Sequence, residues 1–167
     1  MAQVKSLEDL FVAKMRYLYD AEQRLVNALP KLEKAATSPG LKTAFNAHRT
    51  ETETHVERLE RLFGFFDQKP NADSNSAIKG LIDSSEDMIN LKGDDPVRDA
   101  ALIAAAQEAE HYEIAAYGTL RTWAGVLGKT EAVQLLEWTL EEEKKADRKL
   151  TDIASALNFQ AAGSRAR

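Results

Sequence analysis

The chain has no cysteine among its 167 residues. Disulfide bonds, thiolate zinc sites, iron–sulfur clusters and thiol catalysis are therefore excluded. The longest strictly apolar run, Ala100 to Ala106, is far shorter than the roughly 18 residues of a membrane helix, and the first residues have no apolar segment typical of a secretory signal. Lys and Arg number 22 against 27 Asp and Glu, so there is no basic surplus of the kind that binds nucleic acid. We expect a soluble, cytoplasmic protein that binds neither nucleic acid nor membrane.

Helical periodicity dominates the sequence. Apolar residues recur at steps of three and four along four long stretches, and no alternating strand pattern competes with them. Short turns at Ser38-Pro39-Gly40 and at Gly128 join the first stretch to the second and the third to the fourth, so each pair is predicted to be an antiparallel hairpin. The predicted helices cover residues 6–36, 41–66, 96–127 and 130–158.

The connection between the two hairpins, residues 67–95, is long enough to travel the length of a bundle and contains a short amphipathic helix at about residues 76–91. Two antiparallel hairpins joined by one long crossover have the ferritin-like topology. We therefore predict an all-α, ferritin-like four-helix bundle that forms one domain over residues 1–167. Apolar crossover residues left uncovered by the bundle would favour a homodimer. These residues are Ile78, Leu81, Ile82, Met88 and Ile89.

Each long helix has an acidic residue near mid-length on its apolar face. The four are Glu22, Glu51, Glu110 and Glu143, although the core step of the second helix falls on either Glu51 or Thr52. With a rise of about 1.5 Å per residue from the two turns, they lie within about one helical turn of the same height. Four carboxylates buried at one level must be protonated, paired or bound to metal. Two divalent cations would balance their four charges.

Other metal-ligating residue types follow two of these acids. His55 lies four residues after Glu51, and Asp147 lies four residues after Glu143, so the members of each pair share a helix face. Carboxylates together with an imidazole suit iron or manganese. The predicted metal ligands are Glu22, Glu51, His55, Glu110, Glu143 and Asp147, with His48 and Glu113 as orienting residues or exchangeable ligands.

Some of these assignments have alternatives. Any one of the acids is also compatible with an ordinary surface charge, and Glu113 with an ordinary polar residue. Glu142 would replace Glu143 if the register of the fourth helix were shifted; otherwise it belongs to a solvated, charged face. Glu108 and His111 match the Glu-x-x-His spacing of dimetal proteins. They follow a face away from the large apolar residues, so we do not predict them as ligands.

Four stretches around the mid-helix acids give the sequence a family resemblance: residues 18–22, 48–60, 110–120 and 139–147. With them the chain resembles the YciE/YciF family of ferritin-like stress proteins, and its YciF branch in particular. The resemblance covers nearly the whole chain. It implies a ferritin-like bundle, a dimer, a dimetal site and a part in general stress responses, and the four-residue step from Glu to His also belongs to this family.

Two functions from different classes fit these observations. The first is a protein with two iron ions, or manganese in their place, that oxidises ferrous iron or consumes peroxide or dioxygen. A reductive cycle would need an external electron donor, because without cysteine the chain has no rubredoxin module. The second is a structural or interaction protein in which metal is at most a staple. Iron storage in a cage is disfavoured, because too few residues follow the fourth helix to form another one.

Overall fold

The computed structural model describes residues 4–163, and this part of the chain contains α-helices and no strand. The all-α prediction is confirmed. The last helix continues to Gly163 instead of ending at residue 158. No helix in this described range has a segment long and apolar enough to cross a membrane. The helices are α1 (Leu7–Ala35), α2 (Pro39–Gly64), α3 (Ser76–Ile89), α4 (Asp95–Val126) and α5 (Thr130–Gly163).

Local signals set where helices begin and end. α1 begins after Ser6, whose hydroxyl accepts a hydrogen bond from the Asp9 backbone N–H at 3.0 Å, and the helix runs on through Pro30. At the turn after α4, Gly128 has a φ of 69°, a left-handed conformation that glycine adopts without strain. This turn lets α5 fold back along α4.

The four long helices form two antiparallel hairpins. Tyr19 of α1 donates a hydrogen bond to Glu60 of α2 at 2.8 Å, and Gln107 of α4 donates one to Asp147 of α5 at 2.9 Å. The hairpins then pack side by side, with α2 against α5 and α1 against α4. Each long helix therefore contacts two others.

Asp99 of α4 fastens the two hairpins together at one end of the bundle. Its carboxylate accepts hydrogen bonds from the backbone N–H groups of Thr37 and Ser38 at 2.8 and 2.7 Å, and from the Thr37 hydroxyl at 2.8 Å. The Ser38 side chain makes no capping bond, and Asp99 instead binds the backbone of the two residues that precede α2. The crossover has thus returned the chain to the start of α2, as predicted.

We expect Asp99→Ala to lower the free energy of unfolding by about 2 kcal/mol, because backbone N–H groups lose a charged acceptor. In a chain of this size the melting temperature would fall by about 4–8 °C, which circular dichroism can measure. Asp95→Ala is the control. Asp95 is exposed, and within residues 4–163 its one ion pair is with Arg98, so its loss should change stability by less than about 0.5 kcal/mol. Equal melting of the two variants would contradict the anchoring role of Asp99.

The apolar core consists of two clusters, one towards each end of the bundle, with polar side chains between them. The first cluster lies where α1 and α5 begin and where α2 and α4 end. It includes Phe11, Met15, Leu59, Phe63 and Leu136. The second lies at the opposite end and includes Leu32, Leu41, Phe45, Ile103 and Leu150. The bundle is therefore stabilised at both ends and can accommodate a polar layer in the middle.

α3 covers the α1–α4 side of the bundle. Ile78 is fully buried, Leu81 and Ile82 pack on the first cluster, and Met88 and Ile89 pack on the second. The residues proposed for subunit association are thus at least partly buried within the chain itself, and the homodimer stays a prediction. Within residues 4–163, no helix covers the α2–α5 side in the same way.

Candidate metal centre

Six titratable side chains meet between the two apolar clusters. They come from all four long helices, and none is more than 7% exposed. Each occupies a position on the buried face of its helix, where the periodic pattern would otherwise place an apolar residue. The six are Glu22 of α1, His48 and His55 of α2, Glu110 and Glu113 of α4, and Glu143 of α5.

Glu143 belongs to two groups of possible ligands. In the first, His55 Nδ1 lies 2.9 Å from Glu143 Oε1 and 3.5 Å from Glu22 Oε1. In the second, His48 Nε2 lies 3.2 Å from Glu110 Oε1 and 3.6 Å from Glu143 Oε2. Within each group the ligand atoms lie within 4.8 Å of one another. We call Glu22, His55 and Glu143 the inner group, and His48, Glu110, Glu113 and Glu143 the outer group.

Several carboxylate oxygens in this layer have no hydrogen-bond partner among the described residues. They are both oxygens of Glu143 and one oxygen each of Glu22, Glu110 and Glu113, and all are buried. An unpaired buried polar group costs about 1–3 kcal/mol, and a charged one costs more. Carboxylate oxygens beside imidazoles are suitable ligands for iron or manganese. The residues present therefore fit a pair of divalent cations.

Burial shifts the protonation of two of these acids. It raises the pKa of Glu143 to about 8, despite the opposing effect of the nearby His55. Burial, and then the negative charges of Glu22 and Glu143, also raise the pKa of Glu113 well above its usual range. In metal-free protein at neutral pH Glu143 therefore holds a proton, and the pKa of Glu113 is shifted in the same direction. A cation would displace the proton on binding.

The pKa values of the two histidines are also raised, which favours their protonated forms. Burial lowers the pKa of His55, but the charge of Glu22 and the hydrogen bond to Glu142 outweigh this effect and raise the pKa to about 12. Burial likewise lowers the pKa of His48, but the charge of Glu110 outweighs this effect and the pKa lies well above its usual range. Both imidazoles are therefore protonated without metal, and they supply the positive charge that cations would otherwise bring.

An outer carboxylate orients each imidazole. His55 Nε2 donates to Glu142 Oε2 at 3.0 Å, and the Glu142 carboxylate also accepts hydrogen bonds from the Arg58 guanidinium. His48 has a weaker partner, because its Nδ1 lies 3.4 Å from Glu51 Oε2. A carboxylate on one ring nitrogen fixes the tautomer and leaves the other nitrogen directed at the metal position.

Tyr117 of α4 packs against the inner group. Its hydroxyl donates a hydrogen bond to Glu22 Oε1, and its ring lies edge-on to His55 with centroids 6.2 Å apart. Burial raises the pKa of the Tyr117 hydroxyl well above its usual range, so the hydroxyl keeps its proton and remains a donor. Together with the full burial of Glu22 and His55, this contact separates the inner group from solvent.

The structure brings four of the six predicted ligands into this layer, namely Glu22, His55, Glu110 and Glu143. His48 and Glu113, expected to be orienting residues or exchangeable ligands, contribute atoms to the outer group directly. The predicted positions of these side chains follow from their helical spacing.

The expected positions of Glu51 and Asp147 in the buried layer are corrected by the structure. On α2 the buried position is occupied by Thr52, which is 1% exposed. The side chain of the adjacent residue points about 100° away around the helix axis. The Glu51 side chain is consequently 50% exposed. Asp147 is 21% exposed and faces α4, where it accepts a hydrogen bond from Gln107 at 2.9 Å. Neither residue belongs to the inner or the outer group.

The sequence pattern does not predict the contacts of Glu142 and Arg58, since it assigns Glu142 to a solvated face. Spacing within one helix carries no information about a contact between α2 and α5. The one local signal is that Arg58 follows His55 by three residues, which places both on one side of α2. Glu108 and His111 are exposed, which agrees with leaving them out of the ligand set.

Comparison with known proteins gives matches over nearly the whole chain. A family described as "Domain of unknown function (DUF892)" matches residues 6–162. Protein YciF of Escherichia coli strain K12 is 45% identical over 159 residues, and the match covers 90% of this chain and 92% of that protein.

Solved structures superpose on the same helices. The crystal structure of the E. coli stress protein YciF matches with a TM-score of 0.90 and 43% identity, covering 93% of this chain and 99% of that chain. YcfI of Rhodopseudomonas palustris, described as a proposed structural protein, matches with a TM-score of 0.87 and 41% identity. The match covers 89% of this chain and 95% of that chain. A protein of Xanthomonas campestris pv. campestris shares the fold, with a TM-score of 0.75 and 17% identity over 97% and 100% of the two chains.

Proposed function

The chain belongs to the family described as Domain of unknown function (DUF892), and we propose that it is a dimetal-carboxylate protein of the ferritin-like type. It would hold two iron ions, or manganese in their place, and oxidise ferrous iron or consume peroxide or dioxygen in a stress response. The observation that carries this proposal is the convergence of partnerless, buried carboxylate oxygens and two imidazoles around Glu143. The part concerning stress is supported by the E. coli relative, which is described as a stress protein.

In this proposal each group of residues holds one ion. Glu22, His55 and Glu143 would hold the first, and His48, Glu110 and Glu113 would hold the second together with Glu143. Two such ions would supply redox chemistry, as in other dimetal sites built from carboxylates in the core of a helical bundle.

The surrounding residues hold the ligands and their protons. Tyr117 fixes Glu22 through its hydroxyl proton, while Glu142 keeps His55 directed at the inner group. Glu143 would release its proton as a cation binds, so metal uptake is accompanied by proton release. Because the chain has no cysteine, a cycle that consumes electrons would take them from an external donor.

A structural role is the second candidate. YcfI, which is 41% identical to this chain, is described as a proposed structural protein. Ligands from all four long helices would let bound metal cross-link the bundle between its two apolar clusters. In that case metal would stabilise the fold without redox turnover.

Metal analysis followed by an oxidation assay separates the two candidates. We expect protein reconstituted with ferrous iron to retain up to two ions per chain after desalting, and to accelerate iron oxidation by hydrogen peroxide, followed by absorbance. Glu143→Gln should abolish both effects. Retention without acceleration would favour the structural role, and no retention by the wild type would overturn the dimetal proposal.

We expect Glu142→Ala to weaken the affinity for manganese or ferrous iron by about 10–100-fold, because loss of a carboxylate that orients a ligating imidazole has an effect of this size. Isothermal titration calorimetry can measure it. Glu141→Ala removes the neighbouring acid, which pairs with Lys144 at the surface, and should leave the affinity unchanged. If both variants bind metal with the affinity of the wild type, metal binding by His55 does not depend on its hydrogen bond to Glu142.

The protein would act in the cytoplasm as a homodimer, the commonest closed oligomer. Light scattering at micromolar concentration should then give about twice the chain mass of 18.5 kDa. Since the polar layer lies inside each bundle, the mass should be the same with and without metal. A monomer mass would contradict the dimer.

A further inference from the structure

A cleft between α2 and α5 connects solvent with the outer group. It opens on the side of the bundle that α3 leaves uncovered. Residues from both helices form its walls, and two buried outer-group residues lie within its lining. The lining includes Ala47, His48, Glu51, Glu110, Ala146 and Lys149.

Metal-ligating side chains become progressively less exposed along this cleft. The exposed fraction of the side chain is 50% for Glu51, 9% for His48 and 4% for Glu110, which line the cleft. It is 0% for Glu143, which belongs to the outer group but lies beyond the lining. Successive members are close together: 3.4 Å separates Glu51 from His48, and 3.2 Å separates His48 from Glu110. Glu110 also has a buried oxygen without a partner. A cation moving inwards could exchange its water molecules for these ligands one at a time.

The second cavity that reaches the outer group offers no such series. It lies beneath α3 and is lined mainly by apolar residues, among them Leu25, Leu29, Leu81 and Ile82. His48 and Glu110 line this cavity too, but it has no further carboxylate such as Glu51. A divalent cation crossing the apolar part of it would lose hydration with no carboxylate to replace the water, which is strongly unfavourable. Neither cavity is lined by Glu22 or His55.

The two imidazoles also differ in how firmly they are held. His55 is fully buried, and its carboxylate partner is fixed in turn by Arg58. His48 depends on the half-exposed Glu51. The imidazole next to the cleft therefore has the weaker outer partner of the two.

We infer that this cleft is the route by which divalent cations reach the metal centre, with Glu51 as the first carboxylate to bind them. The inference rests on the proposed dimetal function. It gives Glu51 a role in loading the site, distinct from the final ligand set, and the ion of the inner group would pass through the outer group.

Stopped-flow uptake of cobalt(II), followed by its visible absorbance in metal-free protein, tests the route. Leucine at either wall would narrow the cleft, so Ala47→Leu and Ala146→Leu should each slow uptake by about tenfold, equivalent to about 1.4 kcal/mol in the barrier. The final cobalt content should match that of the wild type. Ala47 is exposed, so its variant keeps the test valid even if Ala146→Leu does not fold.

Charge variants test the role of Glu51. Glu51→Gln should slow uptake, whereas Glu53→Gln, which removes an exposed acid paired with Arg49 on the same helix, should not. Lys149→Gln should accelerate uptake, because a positive charge in the cleft repels cations, and the acceleration should shrink at high salt. Ala156→Leu, at an exposed position of α5, is the control for added bulk and should leave the rate unchanged.

Two negative results have different meanings. Normal cobalt content with unchanged rates in Ala47→Leu, Ala146→Leu and Glu51→Gln would overturn the route and leave the dimetal site standing. A wild-type protein that binds no cobalt, iron or manganese would overturn the proposed function, and the route with it.

Discussion

Manganese or ferrous iron added to metal-free protein should raise its melting temperature by about 8–16 °C. A ligand present at a thousand times its dissociation constant stabilises the folded state by about 4 kcal/mol, and each kcal/mol corresponds to about 2–4 °C in a chain of this size. The physical reason is that cations would bind buried carboxylate oxygens that lack partners and would link four helices. Circular dichroism melts with metal and with chelator measure the effect. Coincident melts would contradict the metal centre.

Glu143→Gln distinguishes loss of metal ligation from loss of fold. Glutamine keeps the size of the side chain and removes the charge that both groups share. We expect the metal-dependent rise in melting temperature to disappear. The metal-free variant should nevertheless melt above metal-free wild type at pH 8, because the buried carboxylate, whose desolvation raises its pKa to about 8, is replaced by a neutral amide. Glu57→Gln, an exposed position of α2, is the matched control and should melt like the wild type with and without metal.

Helical periodicity was sufficient to predict the helices and their pairing, because most boundaries carry a local signal. Ser6 caps the first helix, and Gly128 marks the turn before the last one. The end of α5 carries no such signal. Large apolar residues become sparse after Leu157, but the chain continues with Gln160, Ala161 and Ala162, which have good helix propensity, and the helix extends to Gly163.

The candidate site was predictable wherever an acid or imidazole interrupts an apolar stripe. On α2 the buried stripe runs through His48, Thr52 and His55, so periodicity alone identifies both imidazoles. Glu51 has the chemistry of a ligand, but the adjacent Thr52 fits the stripe better and is the residue that the fold buries. A residue adjacent to the stripe points about 100° away from it, because each residue of an α-helix is rotated by that angle from the one before.

Contacts between helices set the remaining features of the site. Asp147 lies four residues after Glu143 on α5, a spacing suitable for a second ligand, but a hydrogen bond from Gln107 of α4 holds it at the edge of the bundle. Glu142 lies one residue from the stripe, yet Arg58 and His55 of α2 draw it to the site. Both outcomes depend on the relative rotation of packed helices, which the spacing within a single helix does not determine.

In metal-free protein the melting temperature should rise as the pH falls from about 8 to about 5, and should fall again below about 4.5. Burial raises the pKa of folded Glu143 to about 8, against an ordinary value of 4.5. Between these values the folded state binds more protons than the unfolded state, so a lower pH stabilises it. His55 adds to the trend, because its pKa of about 12 exceeds the ordinary 6.5. Its stabilising effect is complete below pH 6.5 and is lost as the pH rises towards 12.

Glu142 sets the lower limit of this trend. Its hydrogen bond to His55 and the nearby Arg58 lower its pKa to about 2, against an ordinary value of 4.5. The stabilisation from this carboxylate is therefore present above pH 4.5 and is lost as the pH falls towards 2. Together the opposing shifts place the maximum stability of metal-free protein in the weakly acidic range, and thermal melts across pH 3–9 locate it.

Bound metal should reverse this pH dependence. Cations bind the deprotonated carboxylates and imidazoles, so the stabilisation by manganese should be large at pH 8 and shrink towards pH 5, where protons compete for the same atoms. The melting temperatures with and without metal therefore converge as the pH falls, because the metal-bound protein loses stability while the metal-free protein gains it. In metal-free Glu143→Gln the rise between pH 8 and pH 5 should be smaller, since one titrating group is absent. An unchanged rise in that variant would show that Glu143 is not its source.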